Sequence, residues 1–211
     1  MSYLLRRPDE LAWRTLEHVE LVALALAIAI AIALPLGIAC ARYPRIGGLV
    51  LGALNVVYTI PSLALLALLV PLLGIGTPTA LVALVVYAQM ILVRNVVVGL
   101  RGVAPSLVDA ARGLGMSRRQ TLWRVEFPQA LPVMLAGVRL ATITLIALAT
   151  LAAWVNAGGL GRIVLYGLQH DDPDRALAGA IVAALLAIGA DRLLAWLERR
   201  SAAPQGDLPS P

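Results

Sequence analysis

Lysine is absent from this sequence, and all 17 basic residues are arginine. That choice reflects a bias of the source and carries no chemistry of its own. Cysteine occurs once, at Cys40, which excludes an intrachain disulfide. The small residues around it (GIACA) look like a lipoprotein cleavage site, but the apolar run before them is too long and the leader is not basic. A buried, inert thiol is the simpler reading. Aromatic residues make up 5% of the chain and charged residues only 14%, with the charges gathered between apolar runs. No Ser/His/Asp or Cys/His arrangement supports nucleophilic or metal chemistry, so the chain is not read as an enzyme and no metal is expected. The net charge of +5 has no soluble basic face to sit on, which excludes a nucleic-acid partner.

What the sequence does have is hydrocarbon. Apolar residues reach 60% and the mean hydropathy is +0.87, well outside soluble domains at about 45–50% apolar. About 20 apolar residues cross a hydrocarbon core about 30 Å thick. Five stretches meet that length: 19–41, 46–73 (interrupted by Pro61 and Pro71), 79–100, 131–154 and 175–197. The run ALALAIAIAIALP alternates like a strand, but both phases are apolar and a lone strand leaves its backbone unsatisfied in lipid. The fold expected is an all-α membrane protein with five transmembrane helices. Residues 1–18 form an outer or interfacial segment, 19–198 the transmembrane domain, and 199–211 a disordered tail.

The arginines set the orientation. The first loop holds Arg42 and Arg45 without an acid, and the third holds Arg101, Arg112, Arg118, Arg119 and Arg124 against Asp109 and Glu126. The leader carries more acids than arginines, and the fourth loop sets Arg162 against Asp171, Asp172 and Asp174. The N-terminus is therefore expected outside and the C-terminus in the cytoplasm.

The third loop, about 30 residues between spans three and four, is long for a connection without structure of its own. Pro105-Ser106 ahead of LVDAA reads as a helix start. Gly113 and Gly115 break that helix, and Ser117 caps a second one, RRQTLWRVEF. Pro128 is expected to end it and Pro132 to open span four. Such a segment can lie on anionic lipid through Leu122, Trp123, Val125 and Phe127. Its small residues, Ala110, Ala111, Gly113 and Gly115, equally suit close approach by another protein.

At this point the sequence resembles a known family, the permease subunits of binding-protein-dependent ABC importers. Their cytoplasmic motif runs E-A-A, three residues, G, nine residues, I-x-L-P. Asp109-Ala110-Ala111, Gly115 and Val125-Glu126-Phe127-Pro128 follow that spacing, with Asp for Glu, Val for Ile and Phe for Leu. The resemblance implies a type I permease core and a role for the segment as coupling helices docked on a cytoplasmic ATPase. Within the coupling segment Asp109, Ala110, Ala111, Gly113 and Gly115, Gly115 would give the bend and Asp109 a polar anchor, with Met116, Ser117, Arg118 and Arg119 as the contact surface. ATP and Mg²⁺ would then be bound by the ATPase, with no cofactor in this chain. The stretches TIPSLALLALLVPLLGIG, VEFPQALPVMLAGVR and NAGGLG are similar to the osmoprotectant branch, which imports glycine betaine, choline and carnitine. That similarity implies a bacterial inner-membrane location, a separate substrate-binding protein, periplasmic or lipid-anchored, and a second permease chain, as a homodimer.

A polar path is expected along span two. Asn55, Thr59 and Ser62 are spaced i, i+4, i+7 beside Tyr58 and Pro61, although helix–helix hydrogen bonding would use the same residues. Arg94, Asn95 and Arg139 read as snorkelling or pairing groups. NAGGLGR lacks the lysine and preceding strand of a phosphate cradle, and Asp172-Pro173 reads as a helix start, not a metal site. Gly48-x-x-x-Gly52 is a weak mark of helix contact. Three alternatives stay open: a permease for an amino acid such as methionine, a secondary transporter, and a membrane scaffold without a pore. Spans one to four lack a mid-membrane acid for ion coupling, which argues against the second of these.

Overall fold

Proline and glycine punctuate this chain, and the helix boundaries fall at them. The computed structural model describes Tyr3 and residues 6–201. Helix α1 (Pro8–Arg42) ends two residues before Pro44, which opens α2 (Pro44–Thr59). Pro61 forces Ile60 out of helical conformation, to ψ 127°, as a residue before proline prefers. Helix α3 (Ser62–Leu73) stops at Gly74, and α4 runs Thr77–Arg101. Then come α5 (Pro105–Gly113), α6 (Arg118–Thr121), a π-helical turn over Leu122–Glu126 and α7 (Phe127–Leu151). A short 3₁₀ turn leads to α8 (Leu160–Gln169), and α9 (Pro173–Ser201) closes the bundle. No strand occurs among the described residues.

Four helical stretches are long and apolar enough to cross a membrane: α1, α4, the continuous run Arg118–Val155, and α9. Helices α2 and α3 together form a fifth apolar stretch, bent by 97° at its break. Span two is thus not one straight helix, because Ile60-Pro61 cannot continue the ladder. Helix α1 starts at Pro8, ahead of the expected span at Val19. Its 35 residues reach about 52 Å at 1.5 Å per residue, longer than the hydrocarbon core. At the other end α9 continues to Ser201, past the expected start of the tail; residues 202–211 lie outside the described ones.

Helix α4 is the centre of the bundle and packs against both α1 and α7. The alternating run of α1 explains how. Helical spacing takes Ala25, Ala29, Ala33 and Gly37 from it as one buried stripe, with Cys40 continuing the line. A Cβ at Gly37 would lie 2.6 Å from the Val96 side chain of α4, so the stripe lets two backbones close up. Gln89 of α4 donates to the Ala29 carbonyl at 3.2 Å across that contact. On the other side Gly137 of α7 sits against Asn95 of α4, where a Cβ would come to 2.4 Å. Gly48 and Gly52 have no neighbour within 4 Å of a built Cβ, so their motif marks no contact within this chain.

The NAGG turn after the 3₁₀ segment is left-handed at Asn156 (φ 58°), Gly158 and Gly159. Its Gly159 N–H donates to Glu17 of α1 at 3.0 Å, and Glu17 also accepts from Arg14 and Trp13. The turn then opens α8, an amphipathic helix burying Leu160, Ile163 and Gly167, in place of the loop or short re-entrant turn expected between spans four and five. Asp172 accepts from the Arg175 N–H at 3.1 Å, the cap expected ahead of Pro173.

Candidate functional site

The predicted coupling segment is a helix, a left-handed bend and a capped second helix, standing at the end of the bundle where α1 and α4 finish. Helix α5 starts with Pro105 in its first turn, as expected. Gly113 is its last residue and does not break it. The break comes at Gly115, with φ 77°. Two hydrogen bonds close the helix there, from the Gly115 N–H to Arg112 O at 2.9 Å and from the Met116 N–H to Ala111 O at 3.1 Å. This is the paired bonding of a Schellman motif, in which a glycine supplies the left-handed residue. Ser117 then caps α6 reciprocally: its hydroxyl accepts from the Gln120 N–H at 3.3 Å, and the Gln120 side chain accepts from the Ser117 N–H at 2.8 Å.

Asp109, Ala110, Gly113, Gly115, Ser117, Arg118 and Arg119 are exposed and Met116 is half-buried. Asp109 makes only a 3.6 Å contact with Arg112. Leu114, at the apex of the bend, is 79% exposed. Ala111 differs from the rest: it is buried at 3% and offers no contact surface.

Pro128 does not end the second helix. The turn Leu122–Glu126 before it is π-helical, with the Phe127 N–H reaching back five residues to Leu122 O. Pro128 follows in the first turn of α7, where a missing N–H costs little. The helix runs unbroken from Arg118 to Val155, so span four is continuous with the coupling segment and does not begin at Pro132.

Residues that the sequence offered only as counted charges meet at this end. Arg42, the last residue of α1, forms a two-point ion pair with Glu126, at 3.2 Å and 2.5 Å. The Glu126 side chain is 7% exposed. Arg101, ending α4, donates to the Cys40 carbonyl at 2.9 Å and so satisfies an orphan carbonyl of the last turn of α1. Between these ends and the bend lies a cavity of about 380 Å³, walled by Arg42, Arg112, Met116, Arg118 and Glu126 among others. No periodic signal in the sequence pairs Arg42 with Glu126; only the folded chain brings them together.

The expected polar face of span two is redistributed by the kink. Asn55, Tyr58 and Thr59 are exposed on the last turns of α2, and Pro61 is exposed at the break. Ser62 is half-buried as the first residue of α3, so the i, i+7 relation of Asn55 and Ser62 does not hold. The Thr59 hydroxyl donates to Val56 O at 2.6 Å. Tyr87 of α4 donates its hydroxyl to the Ile60 carbonyl and packs edge-on to Tyr58 at 5.9 Å. The kink is thereby pinned to the central helix by a residue the sequence reading did not single out.

Arg139 is a pairing group: it bonds Asp191 at 2.5 Å and Glu198 at 3.3 Å, both on α9. Asn95 donates to Ile91 O within its own helix, and Arg94 is exposed on α4.

Comparison with known proteins places this geometry in a family context. The sequence pattern of the family described as "Binding-protein-dependent transport system inner membrane component" matches residues 33–202. The glycine betaine/carnitine/choline transport system permease protein OpuCB of Bacillus subtilis (strain 168) is 39% identical over 200 residues, covering 95% of this chain and 92% of its own. The osmoprotectant import permease protein OsmW of Salmonella typhimurium is 41% identical over 203 residues, covering 94% of each chain. Among solved structures, the MetNI methionine ABC transporter superposes with a TM-score of 0.85 at 22% identity, over 94% of this chain and 99% of that one. At that identity the likeness is one of fold.

Proposed function

The chain belongs to the family of binding-protein-dependent transport system inner membrane components, and from that premise we propose that it forms half of the pore of an ATP-driven importer of quaternary-amine osmoprotectants. Its relatives OpuCB and OsmW support glycine betaine, choline or a similar solute as the substrate. A separate cytoplasmic ATPase binds ATP and Mg²⁺ and docks on the bend from Asp109 to Arg119. A periplasmic or lipid-anchored binding protein delivers the solute, and a second permease chain, in the simplest case a second copy, completes the pore.

The observation that carries this reading is the bend itself. A Schellman closure and a capping box fix its shape, yet its apex, Leu114 and Gly115, is bare. A built Cβ at Gly115 meets nothing within 4 Å, so the glycine serves the backbone turn and leaves space for a partner. Closure of the ATPase would push on this bend and bias the membrane helices between two arrangements. The path is assigned to the kink, where Asn55, Tyr58, Thr59, Pro61 and Ser62 gather. Tyr58 is 41% exposed and offers an aromatic face to a passing quaternary ammonium. The arginine excess at this end supports its placement in the cytoplasm.

The test is co-expression with the ATPase subunit, comparing the wild-type chain with Gly115→Trp. The wild type should retain the ATPase through purification, and the variant should lose it while remaining folded. Retention by both would move the docking site elsewhere. In proteoliposomes supplied with the binding protein, uptake of choline or glycine betaine, and not methionine, should follow ATP addition. The mass of the complex should correspond to two permease chains.

A further inference from the structure

If the bend is the ATPase contact, as proposed above, its movement must reach the kink that carries the polar residues. We propose that the Arg42–Glu126 ion pair is the linkage that transmits it, with both residues acting as positioning residues.

Glu126 is the last residue of the π turn. One residue more per turn rotates a helix face by about 100°, so the π turn decides that this carboxylate faces the end of α1. Among the described residues, the pair is the one side-chain hydrogen bond or ion pair joining residues 105–126 to another element. An exposed ion pair would transmit little. Here Glu126 is almost fully withdrawn from water, and the Arg42 guanidinium holds its carboxylate at two points.

Beyond Arg42 the path has no slack. Tyr43 alone separates Arg42 from Pro44, the first residue of α2. A Cβ at Gly47 would lie 2.5 Å from Cys40 O and 3.3 Å from Arg101 Nη2. The start of α2 is therefore pressed onto the end of α1, and Arg101 bonds that end to α4. Helix α2 then runs 16 residues to Thr59 and the kink, which the Tyr87 hydroxyl and ring hold against α4. Displacing Glu126 displaces Arg42, the elbow and the base of α2, and so tilts Tyr58 and Thr59 at its far end. The device is a rigid arm with an ionic clasp at its driven end.

The measurement is the number of ATP molecules hydrolysed per solute taken up, in proteoliposomes holding the permease with its ATPase and binding protein. Glu126→Gln and Arg42→Gln should keep the ATPase bound and hydrolysing while that ratio rises by about tenfold, within the usual range of coupling between sites. The reversed pair, Arg42→Glu with Glu126→Arg, should recover most of the coupling. If either glutamine variant fails to fold, Glu126→Asp, which keeps the charge and shortens its reach, should show a smaller rise. An unchanged ratio in the folded variants would overturn the linkage, as would a reversed pair no better than the single changes. Transport and hydrolysis falling together with the amount of folded complex would also overturn it, leaving the pair a structural contact. A wild-type chain that never retains the ATPase would remove the proposed function and the linkage with it, whereas wild-type retention with an insensitive ratio would remove the linkage alone.

Discussion

Single residues in this chain act mostly by being small. Gly161 is the extreme case, since a Cβ there would sit 2.0 Å from the Thr150 carbonyl oxygen. Backbone cannot yield as a side-chain tip can, so Gly161→Ala should destabilise the chain by about 1–3 kcal/mol. Thermal unfolding in detergent would check this, with Gly52→Ala as the comparison. Gly52 has open space around its built Cβ, so that change should leave the melting temperature of the single chain unaltered. Both glycines look alike in sequence, and the G-x-x-x-G spacing falls on the one without a neighbour in this chain. A glycine that matters for contact is identified by what faces it, and that neighbour is distant along the chain.

At the scale of elements, proline position was readable and proline consequence was not. Pro105 and Pro173 open helices where the sequence placed a boundary, because a first-turn proline lacks an N–H that would be unbonded anyway. Pro61 breaks span two by 97°, whereas Pro128 breaks nothing, since the π turn before it has already changed the hydrogen-bond register. The α7–α9 contact shows a related limit. Arg139 was legible as a pairing group, but its partners Asp191 and Glu198 lie on a different span. Arg139→Gln and Asp191→Asn should each lower the melting temperature by leaving a half-buried charge with less compensation. The double change should lie closer to the wild type than the sum of the two losses. Additive losses in that cycle would show that the pair contributes no interaction of its own.

At the scale of the molecule, arginine placement predicts the orientation of the bundle in the membrane. An introduced thiol at exposed His170, His170→Cys, should react with a membrane-impermeant maleimide in intact cells, and Arg119→Cys only after lysis. The native Cys40 is buried and gives a low background. The reverse labelling pattern would invert the orientation and place the bend where no cytoplasmic ATPase can reach it. The sequence by itself determined the helical membrane class, the apolar stretches and the coupling motif, because length, hydropathy and short-range spacing are local properties of the chain. It also determined that the bend turns at a glycine and is capped by a serine, since both devices close within a few residues. Only the tertiary structure decided that α1 presents its alanine stripe to α4, that Tyr87 holds the kink, and that Glu126 meets Arg42 across 84 positions of sequence. Those are pairings between helices, set by which faces the packed backbones bring together, and no periodicity within one helix can name its partner.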